Sequence, residues 1–412
     1  MSEYMPNPQE RLEVTKESVH ELTHNAQILI PEEGVYEKLK SAEIEGRQLR
    51  IKMGFDPTSP DLHLGHAVSM FQLKRFQELG HLPVIIIGDF TGRIGDPSGR
   101  NKSRPTVSRE ELTKNAETYI AQLGKVIDTN NIEVHRNTEW LENMTVSDLI
   151  PILAQGSLSQ TISRDDFKKR LEENSTIGLH ELVYPYLQGL DSVAVNADIE
   201  VGGVDQLYAF QAARTLQSDT EVGPEALVLM PLLRGLDGRK KMSKSLGNYV
   251  GINDEPNDMF GKIMSIPDAL IEEYLKLASG FKIQEIKDFL LQIETKQVNP
   301  MEVKIALAHN ITKLYNSDEQ ADGARAYFER QHRGDKSNQE FVDTKVDSIE
   351  NTIGLLVELG AVKTKSEARR LIAQGGVSFN GEKIIDTEHV LTDYNGVNLK
   401  VGKRRFYKII TD

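Results

Sequence analysis

Apolar and polar positions alternate through Leu49–Phe55, the pattern of a strand with two unlike faces. The turn residues Asp56-Pro57-Thr58-Ser59-Pro60 follow, then a helical pattern from His63 to about Leu79 that stops at Gly80. Pro83–Asp89 is a nearly continuous apolar run, as expected of a strand covered on both faces. A glycine-rich loop, Thr91 to Gly99, comes next. Strand, helix and strand joined by short connections predict a parallel sheet of the doubly wound, Rossmann type.

Beyond that loop the periodicity is mostly helical, through Tyr119, Asp165–Glu173 and Leu179–Leu190. Strand character returns over Ser192–Val201, a helix follows Gly203, and Leu227–Met230 is a short apolar strand. From about Asn253 to Gln331 the pattern is helical, with breaks near Pro267, Gly280 and Asn299-Pro300. Residues 332–348 are polar and read as a linker. A basic helix over Ser366–Gln374 then precedes a hairpin, Val377–Ile385, turning on Asn380-Gly381. The expected organisation is a Rossmann-type catalytic domain over residues 1–250 with a helical insertion at about 120–190, a helical domain over 251–331, the linker, and a small α+β domain over 349–412.

Composition narrows the chemistry. The 412 residues contain no cysteine, which removes disulfides, thiolate catalysis and cysteine-bound zinc. No apolar run approaches the roughly 18 residues of a membrane span. Met1-Ser2-Glu3-Tyr4 lacks the basic-then-apolar start of a signal peptide, so a cytoplasmic location is expected. The formal net charge is −13, unlike a protein that wraps nucleic acid through bulk charge. Residues 351–412, however, hold ten Lys and Arg against seven Asp and Glu. That surplus of three leaves about −16 on the remainder, so any RNA contact is expected through a local basic module.

Two short motifs carry the chemistry. His63-Leu64-Gly65-His66 falls at the first turn of a helix, where free backbone N–H groups and the helix dipole favour anions. Two imidazoles there can donate to phosphate oxygens, and Gly65 leaves room for a nucleotide against the backbone. A metal is a weaker reading, since no third ligand stands at a familiar spacing. Lys241-Met242-Ser243-Lys244-Ser245 follows Arg239-Lys240 and is flanked by Gly235, Gly238 and Gly247. It is either a solvated basic loop or a mobile segment whose lysines meet a triphosphate in the transition state.

In this order, about 175 residues apart, the pair resembles the two signatures of the class I aminoacyl-tRNA synthetases. The resemblance spans nearly the whole chain and is closest to the tyrosine branch. It rests on Gly54-Phe55-Asp56-Pro57-Thr58 before the histidine motif, on the loop Thr91–Gly99, and on Gly202-Gly203-Val204-Asp205-Gln206. It implies attack of an amino acid carboxylate on ATP, with Mg2+ accompanying the nucleotide and no covalent enzyme intermediate. His63, His66, Lys241, Lys244 and Thr58 would then be catalytic. Gly54, Asp56, Gly65, Gly203, Asp205, Lys244 and Ser245 would hold ATP.

Tyr184, Gln188 and Asp191 stand at i, i+4 and i+7, which places them on one helical face. Ordinary amphipathicity gives the same spacing, but a buried polar stripe without a ligand is unfavourable. By resemblance, Asp96, Tyr184 and Gln188 meet the amino end of tyrosine, Asp191 accepts the phenolic proton, and Gln206 lies near the carboxylate or ring. Lys52 departs from the best-known members, which carry a phenol-contacting tyrosine there. The C-terminal stretch resembles a small S-four-like RNA-binding module presenting Lys363, Lys365, Arg369 and Arg370, with Lys403-Arg404-Arg405 as a second cluster. Expected partners are tRNA(Tyr), L-tyrosine, ATP and a second copy of the chain, docked through the inserted region. The alternatives are the tryptophan branch and a non-catalytic RNA-binding protein on the same scaffold.

Overall fold

The computed structural model describes residues 14–97, 107–332, 342–346, 351–362, 364–386, 396–402 and 405–410. The chain divides into two compact units, Met1–Phe328 and Glu329–Asp412. The first is built on a six-stranded sheet: β1 (Ile28–Ile30), β2 (Arg50–Phe55), β3 (Leu82–Ile87), β4 (Glu133–Arg136), β5 (Ile199–Gly203) and β6 (Ala226–Met230). The order across the sheet is β1-β6-β5-β2-β3-β4. All neighbours are parallel except β1, which runs antiparallel to β6.

From β2 the chain winds outward one way to β3 and β4. From β5 it winds the other way to β6. The sheet therefore has its switch point between β2 and β5, and the crevice beyond their carboxyl ends is where such sheets bind ligands. Parallel strands covered on both faces must be apolar, and β6, Ala-Leu-Val-Leu-Met, is buried throughout.

Three expectations need correction. The strand predicted over Ser192–Val201 begins only at Ile199, because the preceding helix runs on to Ala194. Inside the stretch expected to be a helical insertion, Glu133–Arg136 forms β4, parallel to β3 in the sheet. Residues 342–345, taken as linker, are β7 (Val342–Lys345) of the second unit.

The helical region packs Phe260, Ile263, Tyr274, Leu307 and Ile311 into the first unit's core. Its breaks have local causes: Gly280 at φ 70°, and Asn299 capping the N–H of Met301 with Pro300 in the first turn. The second unit has its own core, including Leu355, Leu356, Ala368, Ile372 and Leu399. Its sheet runs β7-β11-β10-β8-β9, with β8 (Val377–Phe379), β9 (Glu382–Ile384), β10 (Asn398–Val401) and β11 (Arg405–Ile410). Asn380 and Gly381 both take positive φ, as the tight β8–β9 turn requires. Among the described residues no helix is long and apolar enough to cross a membrane.

Candidate active site

A cavity of about 530 Å³ opens at the β2–β5 switch point. Gly54 lines it from the end of β2, with Asp56, Thr58, His63, Gly65 and His66 beyond; Asp96 comes after β3; Gly203 ends β5, with Asp205 and Gln206 beyond. Tyr184, Gln188 and Asp191 close one side, and Lys241, Lys244 and Ser245 another. All residues expected at the catalytic, ATP and tyrosine positions thus share one wall system.

The histidine motif shows why its residue types matter. His63 caps the helix Leu64–Glu78, its Nδ1 accepting from the N–H of Gly65 at 3.1 Å. His66 Nδ1 accepts in turn from the N–H of His63 at 3.2 Å. An imidazole nitrogen that accepts carries no hydrogen, so both rings place Nε2–H as the donor when neutral. Burial first, then the neighbouring His66 and Lys244, push the His63 pKa far below its ordinary value, so it stays neutral. Gly65 has a second reason to be glycine: a Cβ there would sit 2.9 Å from His63 Cε1. The room expected for a nucleotide is partly taken by the His63 ring.

Across the cavity, Lys241 Nζ pairs with Asp205 Oδ2 at 2.7 Å. Lys244 reaches the Ser59 hydroxyl and the Asp61 carbonyl oxygen. Burial draws the Lys244 pKa down to about 8. Gly203 is confined as well, since a Cβ would meet Asp205 Oδ1 at 2.7 Å. Gln206 Oε1 accepts from the N–H of Gly203 at 3.2 Å and so steadies this turn.

At the opposite end the helix Leu179–Ala194 presents its polar stripe. Tyr184 donates its hydroxyl to Asp56 Oδ2 at 2.9 Å, and Thr91 donates to Asp56 Oδ1 at 2.8 Å. Asp56, expected with ATP, is therefore held toward the tyrosine end by two side-chain donors. The Gln188 Oε1 atom is buried without a hydrogen-bond partner on the cavity wall, a place for a ligand donor. Asp191 is 4% exposed. Trp140 Nε1 donates to its Oδ1 at 2.9 Å, and Asn137 Nδ2 to its Oδ2 at 3.4 Å. Burial nevertheless pushes its pKa up to about 7, against the pull of Lys52.

Sequence reading missed Asn137 and Trp140, because both follow β4, a strand it did not find. It also missed Glu200 and Glu225, both buried. A signal was present, in that Glu200 interrupts the apolar run Ile199–Val201. Lys52 is not on the cavity wall; its side chain lies fully buried behind it.

In the second unit the helix Lys365–Ala373 exposes Lys365, Arg369 and Arg370. Lys363, Lys403 and Arg404 lie outside the described residues, as do Ser98 and Gly99 of the glycine-rich loop.

Comparison with known proteins adds to this geometry. Residues 45–332 match the model of tRNA synthetases class I (W and Y), and residues 337–408 match a tyrosine–tRNA ligase SYY-like C-terminal domain. A tyrosine–tRNA ligase of Thermotoga maritima is 42% identical over 96% of this chain and 97% of its own length. One from Carboxydothermus hydrogenoformans is 45% identical over 97% of each. A crystal structure of a tyrosyl-tRNA synthetase from Archaeoglobus fulgidus, complexed with L-tyrosine, superposes with a TM-score of 0.61. It covers 76% of this chain and all of that one at 21% identity, which speaks to the fold.

Proposed function

The chain belongs to the class I tRNA synthetases, in their tyrosine–tRNA ligase branch, and on that premise we propose how its residues divide the reaction. The enzyme joins tyrosine to its tRNA with ATP. The observation that carries the assignment of roles is the gathering of both signature motifs and the Tyr184–Gln188–Asp191 stripe on one cavity at the switch point.

Tyrosine enters with its phenol toward Asp191. A carboxylate that already accepts from Trp140 and Asn137 has lone pairs left for the phenolic O–H. The ammonium group lies toward Tyr184, Gln188 and Asp96, where the unsatisfied Gln188 oxygen gains a donor. ATP arrives as its Mg2+ complex. Asp205 takes ribose hydroxyls, which requires exchange of its bond to Lys241. Lys241, Lys244 and Ser245 then turn to the triphosphate.

The tyrosine carboxylate attacks the α-phosphorus, an acyl–phosphate bond forms as the bond to pyrophosphate breaks. Charge accumulates on the phosphoryl oxygens. The Nε2–H groups of His63 and His66 donate to it, and Lys244 offers a positive charge. Gly54, Gly65 and Gly203 shape the floor, and Thr58 stands beside the phosphates. The ribose hydroxyl at the 3′ end of tRNA(Tyr) then attacks the tyrosyl carbonyl carbon, an ester forms as the acyl–phosphate bond breaks, and AMP leaves as the hydroxyl gives up its proton.

RNA contact by the second unit is supported by exposed Lys365, Arg369 and Arg370. Dimerisation through the inserted region is supported by bare apolar side chains there: Val146 at 74% exposure, Ile150 at 61%, Leu158 at 64% and Leu179 at 80%. ATP–pyrophosphate exchange against a panel of amino acids tests the substrate. Tyrosine should stimulate it, and stimulation by tryptophan alone would overturn the assignment.

A further inference from the structure

Behind the Asp191 end of the cavity lies a sealed cluster of charged groups that the reaction does not touch. Lys52 and Glu200 face each other from adjacent strands β2 and β5, both about 1% exposed at the side chain, with Nζ to Oε1 at 2.7 Å. Lys52 Nζ also donates to Ser192 Oγ at 2.8 Å and to the Gln188 carbonyl oxygen at 3.3 Å. Ser192 in turn donates to Glu200 Oε2 or to Glu225 Oε1, at 3.2 and 3.1 Å. One ammonium group therefore pins two points of the helix Leu179–Ala194, and Asp191 lies between them.

We propose that Lys52 is a positioning residue for recognition of the tyrosine hydroxyl. It locks the turn of helix that carries Gln188 and Asp191, and it supplies from behind the wall the positive charge against which Asp191 remains a carboxylate. This rests on the reading of Asp191 as the phenol acceptor.

Charge and burial support it. A lone buried carboxylate takes up a proton rather than stay charged. The groups acting on Asp191 are Lys52 on β2, the donors Trp140 and Asn137 after β4, and Glu200 on β5; Glu225, just before β6, acts on Lys52 and Glu200. Tyr184 and Asp56 stand further along the cavity. Burial and the neighbouring Glu200 raise the Glu225 pKa well above its ordinary value, so Glu225 holds its proton. Burial opposes the charge on Lys52, yet the carboxylates facing it, Glu200 first, keep its pKa above the usual lysine value. Lys52 is then the fixed cation of the cluster, shared between Glu200 and Asp191. An amino acid without the hydroxyl leaves Asp191 facing apolar surface, so the cluster also serves rejection of phenylalanine.

The test is pyrophosphate exchange by the full-length enzyme, with KM for tyrosine followed from about pH 6 to 9 and phenylalanine as a second substrate. With Lys52→Met the tyrosine KM should rise roughly fivefold at pH 7, for about one unit of upward displacement of its inflection from near 7. The kcat should change less than about threefold, and preference for tyrosine over phenylalanine should fall about fivefold. Glu200→Gln should move the inflection the opposite way, because it removes a negative neighbour that raises the Asp191 pKa and competes for Lys52. A merely structural cluster would not shift the two variants in opposite directions. If Lys52→Met does not fold, Lys52→Gln, which keeps a donor toward Ser192 and the Gln188 carbonyl while losing the charge, takes its place. A wild-type KM profile in the folded variants, or equal losses on tyrosine and phenylalanine, overturns the inference. Asp191→Asn separates the two readings. If it leaves tyrosine KM unchanged, the phenol assignment itself fails; if it raises KM while Lys52→Met does not, only the role of Lys52 fails.

Discussion

Lys244 rests against two neutral oxygens, the Ser59 hydroxyl and the Asp61 carbonyl, and neither contact is a carboxylate. Burial draws its pKa down to about 8. For the free enzyme, then, kcat/KM for ATP should fall as pH rises through about 8, because the lysine loses the charge that stabilises the triphosphate in the transition state. The magnitude follows from charge and distance. A unit charge about 4 Å from a phosphoryl oxygen is worth about 4 kcal/mol at an effective dielectric of about 20, and less where solvent screens it. Lys244→Ala should therefore lower kcat by about 10²–10³, while KM for ATP changes less than about threefold. Lys244→Arg keeps its charge far above pH 8 and should lose the alkaline limb at whatever rate remains. Pyrophosphate exchange at saturating tyrosine measures all three. If Lys244→Ala weakens ATP binding as much as it slows turnover, or if Lys244→Arg keeps the inflection near pH 8, the transition-state role is wrong.

Other consequences are equally concrete. Trp140→Phe removes the donor to Asp191, a bond to a charged group worth about 1.5–3 kcal/mol, and should raise tyrosine KM roughly 10- to 100-fold in the same exchange reaction. Gly65→Ala drives a methyl group into the His63 ring and should lower kcat at least tenfold, with thermal unfolding showing that the fold survives. Ile150→Asp on the exposed apolar face should shift the enzyme to monomers in sedimentation velocity. Removal of residues 349–412, whose core is separate, should spare adenylate formation and impair tRNA charging; normal charging would reject the RNA role.

What the sequence made visible was whatever local spacing encodes. The stripe Tyr184, Gln188, Asp191 follows from helical geometry, and the histidine motif from its place at a helix start. Hidden features depend on neighbours distant in the chain. Strand β4 reads Glu-Val-His-Arg because it is an edge, where one side meets solvent and apolar alternation is not required. With β4 unseen, Asn137 and Trp140 had no strand end to hang from. Strand β7 pairs in parallel with β11, more than 60 residues later, and nothing in its own polar sequence announces that register. Lys52 stands out in the sequence only as a departure from a phenol-contacting tyrosine, with no ion pair announced by its neighbours. Its partner Glu200 lies on β5, and only the sheet order brings the two together.

One consequence of the Trp140 contact concerns light rather than binding. The chain contains a single tryptophan, and its indole N–H is bonded to the carboxylate proposed to meet the substrate phenol. Its intrinsic emission therefore comes from one known place, about a hydrogen bond away from that carboxylate. Excited near the red edge of its absorption, where tyrosine contributes little, the native enzyme should report filling of this pocket in a stopped-flow instrument, with no label attached.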